Sequence, residues 1–237
     1  MPVGVRDDTM PPAVPLSVAG DGDERPVMVG IPSFGAAGAA ELLRLGRALG
    51  GAVSVLALPG FEARAQLPET RDVLFDRLAA SALDAADGRP LVLLGRSSGG
   101  LLAHAVADRL EQRGTPPRGL VLLDTYEADL GDIQHEWLAA LMATGLGRLR
   151  GRVSDAAEET ALLAAGAYLR LMRGWRAGPL ATPSLLVAAA EPVGGMPAGA
   201  WRATRSVPHD RVEAPGDHFT MLDDHAEAVA GVIRAWR

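Results

Sequence analysis

Two adjacent serines lie among three glycines in LLGRSSGGLLAH, residues 93–104. A serine hydroxyl becomes a useful nucleophile when the backbone presents it and a neighbouring base takes its proton, so the spacing of those glycines matters. PLVLLG (90–95), the run before the serines, is apolar throughout, and LLAHAVADRLEQR (101–113), the run after them, has helical periodicity. Strand, turn and helix in that order are what a G-x-S-x-G elbow requires. Its serine sits at a strained turn above a sheet, and the residues two positions to either side must be tiny because strand and helix converge there. Ser97 has Gly95 and Gly99 at those places, whereas Ser98 has Arg96 on its N-terminal side. Ser97 is therefore the candidate nucleophile. The competing reading is a phosphate-cradling glycine loop, but G-x-G-x-x-G and G-K-[ST] are both missing and the chain has no Lys at all.

A nucleophilic serine needs a base, and the chain offers His104, His135, His209, His218 and His225. His104 falls within the helix after the elbow, His135 in a region of helical pattern, His209 before a short polar strand and His225 at the start of the last helix. His218 stands in APGDHFTM (214–221), a Pro-Gly loop after the last strand-like run and before the C-terminal helix. Loops at the carboxyl ends of strands are where an open α/β sheet places its chemistry, and the order Ser, acid, His is that of α/β-hydrolases. His218 is the candidate base. Two acids compete to orient it: Asp124 ends the strand after the elbow helix, and Glu191 ends the next one. Either could accept the imidazole N–H, and the sequence pattern barely separates them.

Elements able to position these residues recur along the chain. Strand-like runs are AVPLSVA (13–19), VMVGI (27–31), AVSVLAL (52–58), PLVLLG, GLVLLD (119–124), SLLVAAA (184–190) and the weaker RVEA (211–214). The central runs do not alternate, as befits parallel strands covered on both faces. Helical patterns at 39–50, 73–86, 101–113 and 225–237 separate or follow them, which indicates a doubly wound, mostly parallel α/β sheet. Between Asp124 and the strand at 184 lie about sixty residues with helical patterns near 131–146 and 154–174, too many for an ordinary connection. They read as a helical insertion, about 127–178, in one domain spanning 1–237.

Composition narrows the function. The chain has 237 residues, is 48% hydrophobic and carries a net charge of −6, so nothing favours nucleic acid or an anionic membrane surface. With no cysteine there is no thiolate metal site, disulfide or Cys nucleophile. No apolar run is long enough to span a bilayer, and MPVGVRDDTMPP lacks the pattern of a signal peptide, so a cytoplasmic location is expected.

Several ordered stretches resemble one family. LVLLGRSSGGLLAHAVADRLEQRGTPPRGLVLLDTY, ALPGFE, GAYLRLMRGW and APGDHFTMLDDHAEAVAGVIRAWR are similar to the chain-releasing thioesterase domains of modular polyketide synthases, especially the macrolide-forming ones, from about residue 13 to the C-terminus. The resemblance implies an α/β-hydrolase fold in which the insertion is a lid over a substrate channel. It implies Ser97, Asp124 and His218 as the triad, with Glu191 matching a glutamate outside it. It places the oxyanion hole at the backbone N–H groups of Ser33 and Ser98, with Phe34 beside the substrate. Tyr126 and Tyr168 are candidate channel contacts, each able to pack its ring on hydrocarbon and offer a hydroxyl to a chain oxygen.

The implied reaction is transfer of a polyketide acyl chain from the phosphopantetheine of an acyl carrier protein to Ser97, then release by ring closure or hydrolysis, with no cofactor and no metal. Two other readings are a free-standing editing thioesterase or esterase and, from another class, a catalytically dead binding module. The chain departs from the family at Arg96 and Ser98, where an aromatic residue or His and an Ala are usual; Arg96 is expected to place a charge near the site mouth. Macrolide-forming relatives also carry an N-terminal helical pair that dimerises. Here about a dozen residues precede the first strand, among them Pro11 and Pro12, so dimerisation is left open.

Overall fold

A computed structural model describes residues 14–16, 26–35, 38–50, 53–61, 68–127, 144–145, 155–193 and 202–236. The strands are β1 (Val14–Leu16), β2 (Val27–Ile31), β3 (Val53–Val55), β4 (Leu91–Arg96), β5 (Gly119–Leu123), β6 (Ser184–Ala189) and β7 (Asp210–Ala214). The helices are α1 (Gly38–Leu49), α2 (Arg71–Ala86), α3 (Ser98–Gln112), α4 (Asp155–Met172) and α5 (Ala226–Ala235). One sheet runs β1-β3-β2-β4-β5-β6-β7, parallel except where β1 pairs antiparallel with β3. The expected α/β-hydrolase-type sheet is therefore present.

The unbroken apolar strands have a direct cause: successive side chains feed two cores. From β5, Leu120 and Leu122 pack on one face with α2 and α3, while Val121 and Leu123 pack on the other with α1 and α5. Each is fully buried, and burial of a side chain of that size is worth about 1.5–3 kcal/mol. Helix α2 starts where the Thr70 hydroxyl accepts the Val73 N–H at 3.3 Å, and it stops at Asp87 in a left-handed conformation with φ of 48°. Polar β7 closes one edge of the sheet beside β6.

Of the proposed insertion, α4 is described and its partner pattern near 131–146 falls, apart from 144–145, outside the described residues, as does His135. Tyr168 and Met172 of α4 join the α2–α3 core, so this helix anchors to the domain through its C-terminal half. Among the described residues no helix is long and apolar enough to cross a membrane.

Candidate active site

Helix α3 begins immediately after β4, and the chain turns between them at Ser97 with φ 53° and ψ −124°. That left-handed strain costs a non-glycine residue about 1–3 kcal/mol and marks a turn held by its surroundings. The Ser97 N–H donates to the Leu123 carbonyl at 2.9 Å, tying the turn to the end of β5 just before Asp124.

The surrounding glycines are steric requirements. A Cβ on Gly95 would lie 2.4 Å from the Gly100 Cα, and one on Gly99 would lie 2.3 Å from the Ile31 and Pro32 carbonyl oxygens. Gly100, outside the five-residue elbow pattern, would meet the Thr125 Oγ1 at 1.9 Å, so it lets α3 approach the loop that bears Asp124.

Asp124 also has positive φ, 44°, and is completely buried. Its Oδ2 accepts the His218 Nδ1–H at 2.6 Å and the Tyr126 hydroxyl at 3.0 Å, and its Oδ1 accepts the Ala189 N–H at 3.0 Å. Burial alone would raise its carboxyl pKa. The His218 hydrogen bond and charge, the Ala189 N–H and the Arg96 charge outweigh that, so the net shift is downward and the group stays ionised. His218 is buried too; desolvation and then the Arg96 guanidinium lower its pKa, against the pull of Asp124 and Asp217. The imidazole is thus held neutral at neutral pH, with Nδ1–H committed to the acid. An ionised acid bound to the Nδ1–H of a neutral imidazole can orient a base and stabilise its protonated form.

Glu191 is placed differently. It is exposed, and its carboxylate accepts the Gly216 N–H at 3.3 Å, so it braces the loop that carries His218. The remaining described histidines have other partners. His104 is buried, with Nε2 bonded to the Gly178 carbonyl and Nδ1 accepting from Arg205, each at 2.8 Å. His209 Nδ1 bonds the Val207 carbonyl at 2.7 Å, and His225 precedes α5.

In the loop after β2, the Phe34 N–H donates to the Ser98 Oγ at 2.9 Å. Ser33 lies against the start of α1, its backbone N 2.8 Å from where a Gly38 Cβ would stand. The expected oxyanion pair, Ser33 and Ser98, thus flanks a direct link between that loop and the elbow helix.

Three expectations need correction. The Tyr126 hydroxyl donates to Asp124, and its ring lies 5.7 Å from the His218 ring, so it supports the acid. Tyr168 is fully buried, bonded through its hydroxyl to the Pro59 carbonyl at 3.0 Å and packed against Phe34 at 4.8 Å between ring centres. It is a core residue, packed in the cluster shared with α2 and α3. Arg96 is 1% exposed, with its guanidinium against the His218 ring instead of at the site mouth. Sequence reasoning missed Glu41, which lies on α1 and pairs with Arg96 at 3.2 Å between Oε2 and Nε. Nothing in the sequence joins those two positions.

Residues 31–237 match the family described as Thioesterase domain. The chain belongs to that family. The thioesterase domain is 41% identical to erythronolide synthase EryA3 of Saccharopolyspora erythraea over 83% of the chain, and 37% identical to the spectinabilin polyketide synthase system protein NorC of Streptomyces orinoci over 91% of it. It spans only 6% and 10% of those relatives' lengths. Among solved structures the thioesterase domain superposes on the NocB thioesterase domain in covalent complex with a fluorophosphonate nocardicin G analogue with a TM-score of 0.67 at 21% identity, over 88% of this chain and 92% of that one. The thioesterase domain SrfTE, described for cyclisation of the lipopeptide antibiotic surfactin, gives 0.64 at 19% identity, over 90% and 92%. At those identities the likeness concerns the fold.

Proposed function

We propose that this domain releases a full-length polyketide from the phosphopantetheine arm of an acyl carrier protein, through an acyl-enzyme on Ser97. The observation that carries the proposal is the buried Asp124–His218 pair at the carboxyl ends of β5 and β7, beside the strained Ser97 turn. In acylation His218 Nε2 takes the Ser97 Oγ proton as Oγ attacks the thioester carbonyl, and the tetrahedral oxyanion is met by the backbone N–H groups of Ser98 and Ser33. Collapse expels the pantetheine thiol, which receives the proton from His218. The chain's own distal hydroxyl, or water, then repeats the sequence on the Ser97 ester. Nothing in this chemistry requires a cofactor or metal. Oxyanion stabilisation by such donors is worth about 3–4 kcal/mol for each one removed.

Similarity to polyketide synthases, with 41% identity to the relative named erythronolide synthase, favours a long polyketide acyl chain, and the motif resemblance to macrolide-forming domains favours ring closure over hydrolysis. Incubation with an acyl thioester should add one acyl mass to the wild type and none to Ser97→Ala, with peptide mapping putting the adduct on Ser97. An adduct on Ser98 would overturn the assignment. With a full-length linear polyketide thioester, the product should weigh one water less than the free acid. Free acid alone would reduce the proposal to a hydrolase.

A further inference from the structure

The buried cation against His218 takes no part in the acyl transfer described above, yet it contacts both the ring and the backbone carbonyl of the base. Arg96 is the last residue of β4 and directly precedes Ser97. Its Nη2 donates to the His218 carbonyl oxygen, and its Nη1 lies 3.4 Å from the ring Nδ1 and 3.3 Å from Nε2. One nitrogen that near both ring nitrogens cannot lie in the imidazole plane, because an in-plane approach would overlap Cε1. The guanidinium therefore rests on the face of the ring. From that face an Nη1–H points at the ring, while Nδ1–H is held in the plane by Asp124 at 2.6 Å. On its far side Arg96 Nε faces Glu41 Oε2 at 3.2 Å without the alignment of a hydrogen bond, so Glu41 acts on it as a counter-charge.

We propose that Arg96 is a positioning residue for His218, clamping the backbone carbonyl and one face of the imidazole from the strand that carries the nucleophile, with Glu41 of α1 as its counter-ion. This rests on the assignment of Ser97, Asp124 and His218 above. Two elements that meet only in the tertiary structure are thereby held in register: β4 brings Ser97, and the loop after β7 brings His218. Two aromatic rings also flank the imidazole, Phe219 edge-on at 5.2 Å and Tyr126 at 5.7 Å.

A clamp made from a cation has an electrostatic consequence. The charges around His218 are Arg96 from β4, Asp124 after β5 and Asp217 in its own loop, while Glu41 of α1 acts through Arg96 with Arg44 and Asp223 beyond it. Arg96 disfavours the imidazolium, so His218 remains a free base at lower pH than Asp124 alone would allow. Glu41, whose own pKa is raised by burial, weakens that effect whenever it is ionised. Activity that needs neutral His218 falls as pH drops through its pKa, so the acidic limb of the kcat/KM profile reports on the clamp.

The test uses the intact domain with an acyl thioester of N-acetylcysteamine. Arg96→Met should lower kcat/KM at the optimum by about tenfold or more and move the acidic limb about one pH unit upward. Arg96→Lys keeps the charge without the planar fork, so its limb should stay near the wild-type position while kcat/KM stays low. Glu41→Gln should move the limb downward. The His218 ring resonances, followed by NMR across pH in a Ser97→Ala background, read the same shifts without turnover, and thermal unfolding identifies any variant that has lost the fold. Wild-type limb positions and ring titrations in folded Arg96→Met and Glu41→Gln would overturn the inference. Full activity in Ser97→Ala or Asp124→Asn would instead overturn the triad on which it rests.

Discussion

Replacing Asp124 by Asn changes a single atom's chemistry at a completely buried position. Three donors converge on the carboxylate: the His218 Nδ1–H and the Tyr126 hydroxyl on Oδ2, and the Ala189 N–H on Oδ1. An amide has only one accepting oxygen. If that oxygen keeps the Ala189 N–H, the amide NH2 faces Nδ1, and the imidazole must present a lone pair there and carry its proton on Nε2. A histidine in that tautomer cannot take the Ser97 proton. If the amide is reversed, its NH2 faces the Ala189 N–H across a distance suited to a hydrogen bond, and a buried donor goes unpaired.

The wrong tautomer and the loss of a charge that stabilises the imidazolium together should lower kcat by a factor on the order of 10⁴, as in the well-studied triad of this type. That corresponds to about 5.5 kcal/mol of transition-state stabilisation. Glu191→Gln supplies the contrast, since Glu191 is exposed and its carboxylate accepts a backbone N–H of the loop. It should stay within a few-fold of wild type. Steady-state hydrolysis of an acyl thioester, with circular dichroism to check the fold, measures both. Asp124→Asn within tenfold of wild type, or a larger loss in Glu191→Gln, would refute the reasoning and move the acid to the later strand.

Ser98→Ala keeps the backbone N–H proposed for the oxyanion but frees the Phe34 N–H from its 2.9 Å bond to Oγ, so kcat/KM should fall by no more than about tenfold, in line with a neutral hydrogen bond worth about 1 kcal/mol. A loss as deep as that of Ser97→Ala in the same thioester assay would place Ser98 in the chemistry itself. The third prediction concerns stability. Burial, followed by the Arg205 charge, lowers the His104 pKa to about 4, so the folded state binds fewer protons than the unfolded one between that value and 6.5. The linked stability is complete above about pH 6.5 and is lost as pH falls toward 4, amounting to about 2 kcal/mol between pH ~7.5 and ~5. Urea unfolding at those pH values should show that loss in the wild type and a smaller one in His104→Gln; equal losses would assign the effect to other groups.

Much of the architecture could be read directly from the chain, because it is written in local chemistry. The apolar runs at 27–31 and 119–124 became β2 and β5, and the helical periodicity at 154–174 became α4 at Asp155–Met172, since burial on both faces of a strand or along one stripe of a helix imposes its own residue pattern. The choice of Ser97 over Ser98 was also local: it rests on glycines two positions away, and the backbone contacts at Gly95 and Gly99 show why nothing larger fits. The acid was not local. Asp124 and Glu191 both end strands, and only the twist of the sheet and the course of the loop after β7 bring one of them to 2.6 Å from His218 while the other meets the Gly216 backbone. Tyr126 looked like a ring for a channel until its hydroxyl met Asp124, and Tyr168 until its hydroxyl met Pro59. Arg96 looked like a charge at the site mouth, because sequence gives no sign of Glu41 on α1 or of the His218 carbonyl waiting beneath the ring. Side-chain periodicity encodes which face of an element is apolar, but a polar group's role depends on partners brought to it from distant parts of the chain, and only the packed fold assembles them.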